Sequence, residues 1–185
     1  MSTKVLRRQF NIQDYHQMVK AGILTEDERV ELIQGEIVKM SPIGIRHAAQ
    51  VKRLINLFAE ILGTRVIVAA QDPVQLSNLS EPQPDLALLK PRDDFYAAGH
   101  PQPQDILLLV EVADTTIEYD RNIKIPLYAS SGICEVWLID VNERVIEVFR
   151  EPTANSYQSI QKLQQGEIFI QAFPDISFAT ERILG

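Results

Sequence analysis

The chain has 185 residues, 45% of them hydrophobic, with a formal net charge of −7, a length that suits one domain with a full-sized core over residues 1–185. No apolar run is long enough to span a membrane, the opening residues lack the apolar stretch of a signal peptide, and the lone Cys134 allows no internal disulfide, so a cytoplasmic, reducing location is expected. The negative charge argues against simple electrostatic attraction to nucleic acid, although Lys52, Arg53, Arg121 and Lys124 could still form a local basic face.

Residues 11–20 read as a short helix, with Asn11 as N-cap, Asp14 three residues on and Gly22 as the stop. Residues 30–40 read as a β-hairpin turning at Gln34-Gly35. That register sets Ile33 opposite Glu36 and Glu31 opposite Val38, so Glu31 shares a sheet face with Ile33, Val38 and Met40. A carboxylate on such a face lies near a rim or near a cation, and a solvated edge glutamate is an equal reading of this stretch. Residues 45–62 form an amphipathic helix, with Val51, Leu54, Ile55, Phe58, Ile61 and Leu62 as its apolar stripe. His47 lies close to that stripe at the helix start, where a lone histidine is most often structural.

Residues 66–70 are β-branched-rich and predict a strand, which residues 74–76 continue past a bulge at Asp72-Pro73. The loop 77–84 delivers Asp85 to the mouth of an apolar strand at 86–89. A long loop follows at 91–105, with Phe95 and Tyr96 expected to pack down onto the domain. A second apolar strand, 106–110, ends at Glu111. A helix is then expected around residues 121–130. Pro126 lacks an N–H, so either the regular helix starts near Asn122 or it bends at Pro126. Asp120, Lys124 and Tyr128 fall at i, i+4, i+8 on roughly one face. The bland alternative is an exposed Asp120–Lys124 ion pair of little worth. Further strands are expected at 135–141, 144–150, 157–163 and 167–170, and Pro174-Asp175 reads as a decoy of the earlier Pro-Asp pair.

The carboxylates that end the two apolar strands need solvent, a cation or a hydrogen-bond partner. If those strands are neighbours, Asp85 and Glu111 converge, and with a lysine they supply what a Mg²⁺-dependent phosphodiester hydrolase requires. Zinc is not expected, because His16, His47 and His100 are scattered and none stands beside Cys134 at a ligand spacing. The order of elements is compatible with an α/β, mixed β-sheet flanked by helices.

A series of short motifs adds to this. Glu31-Leu32-Ile33-Gln34-Gly35-Glu36-Ile37-Val38-Lys39-Met40-Ser41-Pro42 resembles the opening of the Uma-two family of endonucleases. So do the following His47, Gln83-Pro84-Asp85-Leu86, Val110-Glu111-Val112, Tyr119-Asp120-Arg121, Lys124-Ile125-Pro126-Leu127-Tyr128-Ala129, and Gly132-Ile133 with Glu135-Val136-Trp137-Leu138-Ile139-Asp140. The resemblance spans residues 14–149 in order. It implies a restriction-endonuclease-like fold of the PD-(D/E)XK superfamily and metal-assisted hydrolysis of DNA with Mg²⁺ or Mn²⁺. By position, Asp85, Glu111 and Glu31 would bind the metal. The superfamily lysine normally stands two residues after the second acid, where this chain has Ala113, and Lys124 would take its place from the following helix. Gln83, His47, Asp120 and Tyr128 would support the ligands, and Asp114 reads as a turn residue rather than a ligand. Cutting both strands of a duplex would need two sites, so a homodimer is expected. Two other readings compete: a catalytically weak nucleic-acid-binding or accessory protein on the same fold, and an interaction domain in which these charges form a buried ion cluster.

Overall fold

The computed structural model describes residues 7–25 and 27–185. The opening residues 1–6, part of the stretch read above for a signal peptide, lie outside the described residues.

The first helix, α1 (Ile12–Lys20), begins at Asn11, whose side chain accepts from the Asp14 N–H while Asp14 answers to the Asn11 N–H. A two-stranded hairpin follows, β1 (Val30–Ile33) and β2 (Glu36–Lys39). Its register pairs Ile33 with Glu36 and Glu31 with Val38, as the turn at Gln34-Gly35 predicts. The long helix α2 (Ile45–Leu62) has the predicted limits, and its stripe of Val51, Leu54, Phe58 and Leu62 is buried together with Leu57.

The centre is a six-stranded sheet in the order β3-β4-β5-β6-β7-β8. Its strands are β3 (Ile67–Ala70), β4 (Leu86–Leu89), β5 (Ile106–Ala113), β6 (Glu135–Asp140), β7 (Val145–Pro152) and β8 (Tyr157–Leu163). Every neighbouring pair is antiparallel except β5–β6, which is parallel and is joined through a helical crossover, as parallel pairing demands. Alternation along the central strands divides the core in two. Leu86, Leu88, Leu108, Val110, Val112, Trp137 and Ile139 pack with α2 and the C-terminal segment, where Phe178 meets both Phe58 and Trp137 edge to face. Ala87, Leu89, Leu109, Ala113, Val136 and Leu138 face the other way, toward Ile125, Leu127 and Tyr128 of the crossover.

The structure departs from the sequence expectations in several places. Residues 74–76 are not a strand: they run as a loop held by Val74 N–H to Pro82 O and Leu76 N–H to Ser80 O. Strand β5 does not stop before Glu111 but continues to Ala113, because the parallel ladder with β6 pairs Glu111 with Leu138 and Ala113 with Asp140. The crossover helix does not start near Asn122, and it carries its irregularity just before Pro126. It starts with a short turn α3 (Ile117–Tyr119), widens into a π-turn at Asp120–Lys124, and resumes as α4 (Ile125–Ser130). The Ile125 N–H donates to Asp120 O, five residues back, immediately before the proline that has no N–H to give. Finally, β9 (Glu167–Ile170) is followed by one more strand, β10 (Phe173–Ala179), and by α5 (Thr180–Leu184). Pro174-Asp175 sits exposed in β10 and does not line the cleft described below. In the long loop, Tyr96 packs down as expected, with Arg92 over its ring at 4.3 Å, whereas Phe95 stays 75% exposed.

Candidate active site

The antiparallel register of β4 and β5 sets Leu86 opposite Val110. One step further out, Asp85 and Glu111 therefore come to the same edge of the pair. By alternation both project to the face covered by the crossover helix, since Ala87 and Leu109 belong to that side of the core. The link is direct: the Val112 N–H donates to Asp85 Oδ2 at 2.9 Å. Asp85 Oδ1 lies 2.9 Å from His47 Nε2, at the start of α2, and accepts from the Gln71 side chain at 3.3 Å. Gln71 holds a left-handed backbone (φ 58°) just past β3, and its N–H reaches Asp85 O.

Glu31 enters from the hairpin and is 2% exposed. The solvated-edge reading of this residue fails, because the segment leading to β4 closes over it and the Gln83 N–H donates to Glu31 Oε2 at 3.1 Å. Lys124, 5% exposed, answers both glutamates: its Nζ is 3.2 Å from Glu111 Oε1 and 3.4 Å from Glu31 Oε2. The Tyr128 hydroxyl, one helical turn on, donates to the same Glu111 oxygen. Asp120 is buried beside them and accepts from the Thr116 hydroxyl at 2.6 Å. The exposed Asp120–Lys124 pair is thus not what forms; both side chains point inward.

These groups line a cleft of about 440 Å³ that also includes Arg29, Lys39, Asp114, Thr116 and Tyr119. All the sequence-proposed site residues come together: Glu31, His47, Gln83, Asp85, Glu111, Asp120 and Lys124 on the wall, with Tyr128 behind Glu111. Asp114 lies at the cleft and accepts from Arg46 at 2.6 Å. Of the four cations read as a local basic face, Lys52 is exposed on α2 and the other three are engaged. Lys124 is buried, Arg121 is tied to Glu147 and Glu118, and Arg53 donates to Gln50 and Leu184 O. Arg29 and Lys39 are the cations at the cleft wall apart from Lys124 and His47. Sequence reasoning missed Gln71, Thr116 and Tyr119. Tyr119 stood within the Tyr119-Asp120-Arg121 motif, and its hydroxyl is buried in the cleft without a hydrogen-bond partner.

The electrostatics follow from crowding acids where water is scarce. Burial, reinforced by the charges of Asp120 and Asp85 and opposed by Lys124 and the Tyr128 hydrogen bond, pushes Glu111 from an ordinary 4.5 up to about 8. Burial likewise raises Asp120. Burial alone would depress the Lys124 ammonium, but Glu111, Glu31, Asp120 and Asp85 outweigh it and hold the lysine charged. The hydrogen bond to Asp85 raises His47, and burial with the Glu31 charge takes Tyr119 up to about 12. Carboxylate oxygens in excess of their cations suit a hard divalent ion such as Mg²⁺ or Mn²⁺, for which Asp85, Glu111 and Glu31 are the candidate ligands.

A mixed sheet flanked by helices, with acids from two adjacent strands meeting a lysine, defines a restriction-endonuclease-like class. The family model described as "Putative restriction endonuclease", Uma2, matches residues 12–181, and the chain belongs to this family. The match runs past residue 149, where the recognisable motifs end. Among solved structures, the chain is similar to the crystal structure of a "putative nuclease belonging to DUF820" from Anabaena variabilis ATCC 29413. The TM-score is 0.72 at 12% identity, over 95% of this chain and 97% of that one. The likeness establishes a shared fold. Comparison with the curated proteins finds no match. No helix among the described residues is long and apolar enough to cross a membrane.

Proposed function

We propose that this protein is a metal-dependent endonuclease that hydrolyses phosphodiester bonds in DNA, with Asp85, Glu111 and Glu31 as the metal ligands and Lys124 as the catalytic cation. The observation that carries the reading is the position of Lys124 Nζ, within 3.4 Å of both glutamates and on the same cleft wall as Asp85. A lysine that has left the strand for the crossover helix nonetheless reaches the acids. A divalent ion held there would acidify a bound water and offset charge on the phosphoryl group.

The chain's own residues supply the rest. Lys124, held charged, presents a donor to an anionic oxygen in a site where charge is poorly screened. Tyr128 fixes Glu111, the Val112 N–H and His47 fix Asp85, and the Gln83 N–H fixes Glu31, so the acids are oriented before any substrate arrives. Arg29 and Lys39 line the cleft and would meet backbone phosphates in this reading. Residues 1–185 act as one domain in this reading, and a homodimer would supply the second site for cutting both strands.

The test is cleavage of supercoiled plasmid, methylated and unmethylated, with Mg²⁺ and then Mn²⁺. Wild type is expected to nick or linearise the DNA, while folded Asp85→Ala and Lys124→Ala are expected to be silent. Normal cutting by Lys124→Ala removes the lysine from the mechanism. An inert wild type with either ion on either plasmid sinks the endonuclease reading.

A further inference from the structure

Distance along the chain did not keep the histidines apart. His16 of α1, His100 of the long loop and Glu81 of the segment before β4 each place one ligand atom within 4.8 Å of the other two. His16 Nε2 lies 2.8 Å from Glu81 Oε1, and the two imidazole rings stand edge to face at 6.3 Å. Glu81 is only 3% exposed, and its second oxygen, Oε2, is buried with no hydrogen-bond partner. A half-satisfied buried carboxylate is costly. The backbone makes the arrangement deliberate: the Glu81 N–H is fixed on Leu32 O at 2.8 Å, and Gln75 N–H holds Pro101 O, next to His100, at 2.8 Å.

We propose that His16, Glu81 and His100 form a binding site for a transition-metal ion of the Zn²⁺ class, separate from the acid cleft. Paired imidazoles with one carboxylate favour Zn²⁺, Co²⁺ or Ni²⁺ over Mg²⁺. A tetrahedral ion with bonds of about 2.0–2.1 Å needs its donors about 3.4 Å apart. His100 is exposed and the His16 side chain 47% exposed, so small side-chain rotations close the set around the fixed Glu81. The remaining position faces solvent and takes water. The bound ion joins α1, the long loop and the entrance to β4. Gln83, two residues beyond Glu81, holds Glu31 through its N–H. The site therefore braces the backbone that positions two of the acids, yet its existence does not rest on the nuclease reading.

The test uses Co²⁺ added to the metal-stripped full chain and read by visible d–d absorption. Wild type and Asp85→Ala are expected to show the same four-coordinate signature, displaced by Zn²⁺ and not by excess Mg²⁺. His16→Gln and His100→Gln are expected to weaken it at least tenfold, with metal-free melting unchanged in His100→Gln, whose side chain is exposed, and lowered in His16→Gln, which alters the hydrogen bond to buried Glu81. Zn²⁺ should raise the Tm of wild type and Asp85→Ala and leave His100→Gln unmoved. No signature in wild type, its loss in Asp85→Ala alone, or wild-type affinity in His100→Gln each overturns the proposal. None of these outcomes depends on whether DNA is cut.

Discussion

Replacing Glu111 by glutamine should make the metal-free protein more stable while abolishing cleavage. The carboxyl is pushed from 4.5 up to about 8, chiefly by burial. Between those values the folded state binds a proton that the unfolded state releases, so stability falls as pH rises from about 4.5 to about 8. At pH 7 the unfolded chain gains about 3 kcal/mol from ionising Glu111 that the folded chain forgoes, at 1.36 kcal/mol per pH unit over the 2.5 units above 4.5. Glutamine cannot ionise in either state, and its carbonyl still accepts from Tyr128 and Lys124. The substitution should therefore add about 3 kcal/mol at pH 7, or roughly 6–12 °C in Tm for a chain of this size, and almost nothing at pH 4.5.

The assay is thermal unfolding in EDTA at a series of pH values from 4.5 to 8, for both proteins. Asp120, raised by burial, tilts the remaining curve the same way. His47, raised by its bond to Asp85, contributes stability that is full below its ordinary 6.5 and lost as pH climbs through its higher folded value, which again has the same sign. Lys124 stays protonated throughout this range. The variant should thus keep a shallower slope rather than none. Mg²⁺ should stabilise wild type more than the variant, because only wild type regains an anionic ligand. Parallel curves for the two proteins, or a lower Tm for Glu111→Gln at pH 7, would refute the argument that the fold holds this acid against its own stability.

Lys124→Met should act in the opposite direction in the same buffer: it takes away the buried cation that bridges Glu31 and Glu111 and should cost about 3–5 kcal/mol by urea unfolding at pH 7. A loss below about 1 kcal/mol, the worth of an exposed pair, would show that the lysine does not hold the two acids together. Phe178→Ala should open a cavity between Phe58 and Trp137 and cost about 3–5 kcal/mol, without altering the metal dependence of cleavage; a shift in that dependence would mean the two halves of the core are coupled through the sheet.

Local chemistry is what the sequence made legible. A cap at Asn11, a turn at Gln34-Gly35 and a stripe along 45–62 are each decided within a few residues, and all three appear where expected. The convergence of Asp85 and Glu111 was conditional on β4 and β5 being neighbours, and the register meets that condition. What failed was decided by distant partners. Glu111 looked like a strand end because a charge interrupts the apolar run, yet β6 extends the ladder two residues beyond it. Residues 74–76 had strand composition but no strand to pair with. His47 looked structural from its place beside the apolar stripe, and only the docking of α2 on the sheet brings it to Asp85. Similarly, no spacing rule joins His16, Glu81 and His100, which belong to three segments that meet only in the folded chain.

Lys124, proposed above as the lysine that replaces the one expected after Glu111, sits at a local irregularity of the crossover. Two residues after Glu111, where the superfamily places its lysine, Ala113 is fully buried against the crossover. A lysine there would need room that this packing lacks. The crossover instead carries a π-turn, one residue wider than an α-turn, at the point where Pro126 withholds an N–H. Within that turn Asp120 and Lys124 both face inward, while Ile123 between them is 40% exposed. Tyr128 follows on the same side and fixes Glu111. The proline that complicated the helix in the sequence thus sits beside the wide turn from which the lysine reaches the acids, and the irregularity is a feature of the site rather than a defect of the helix.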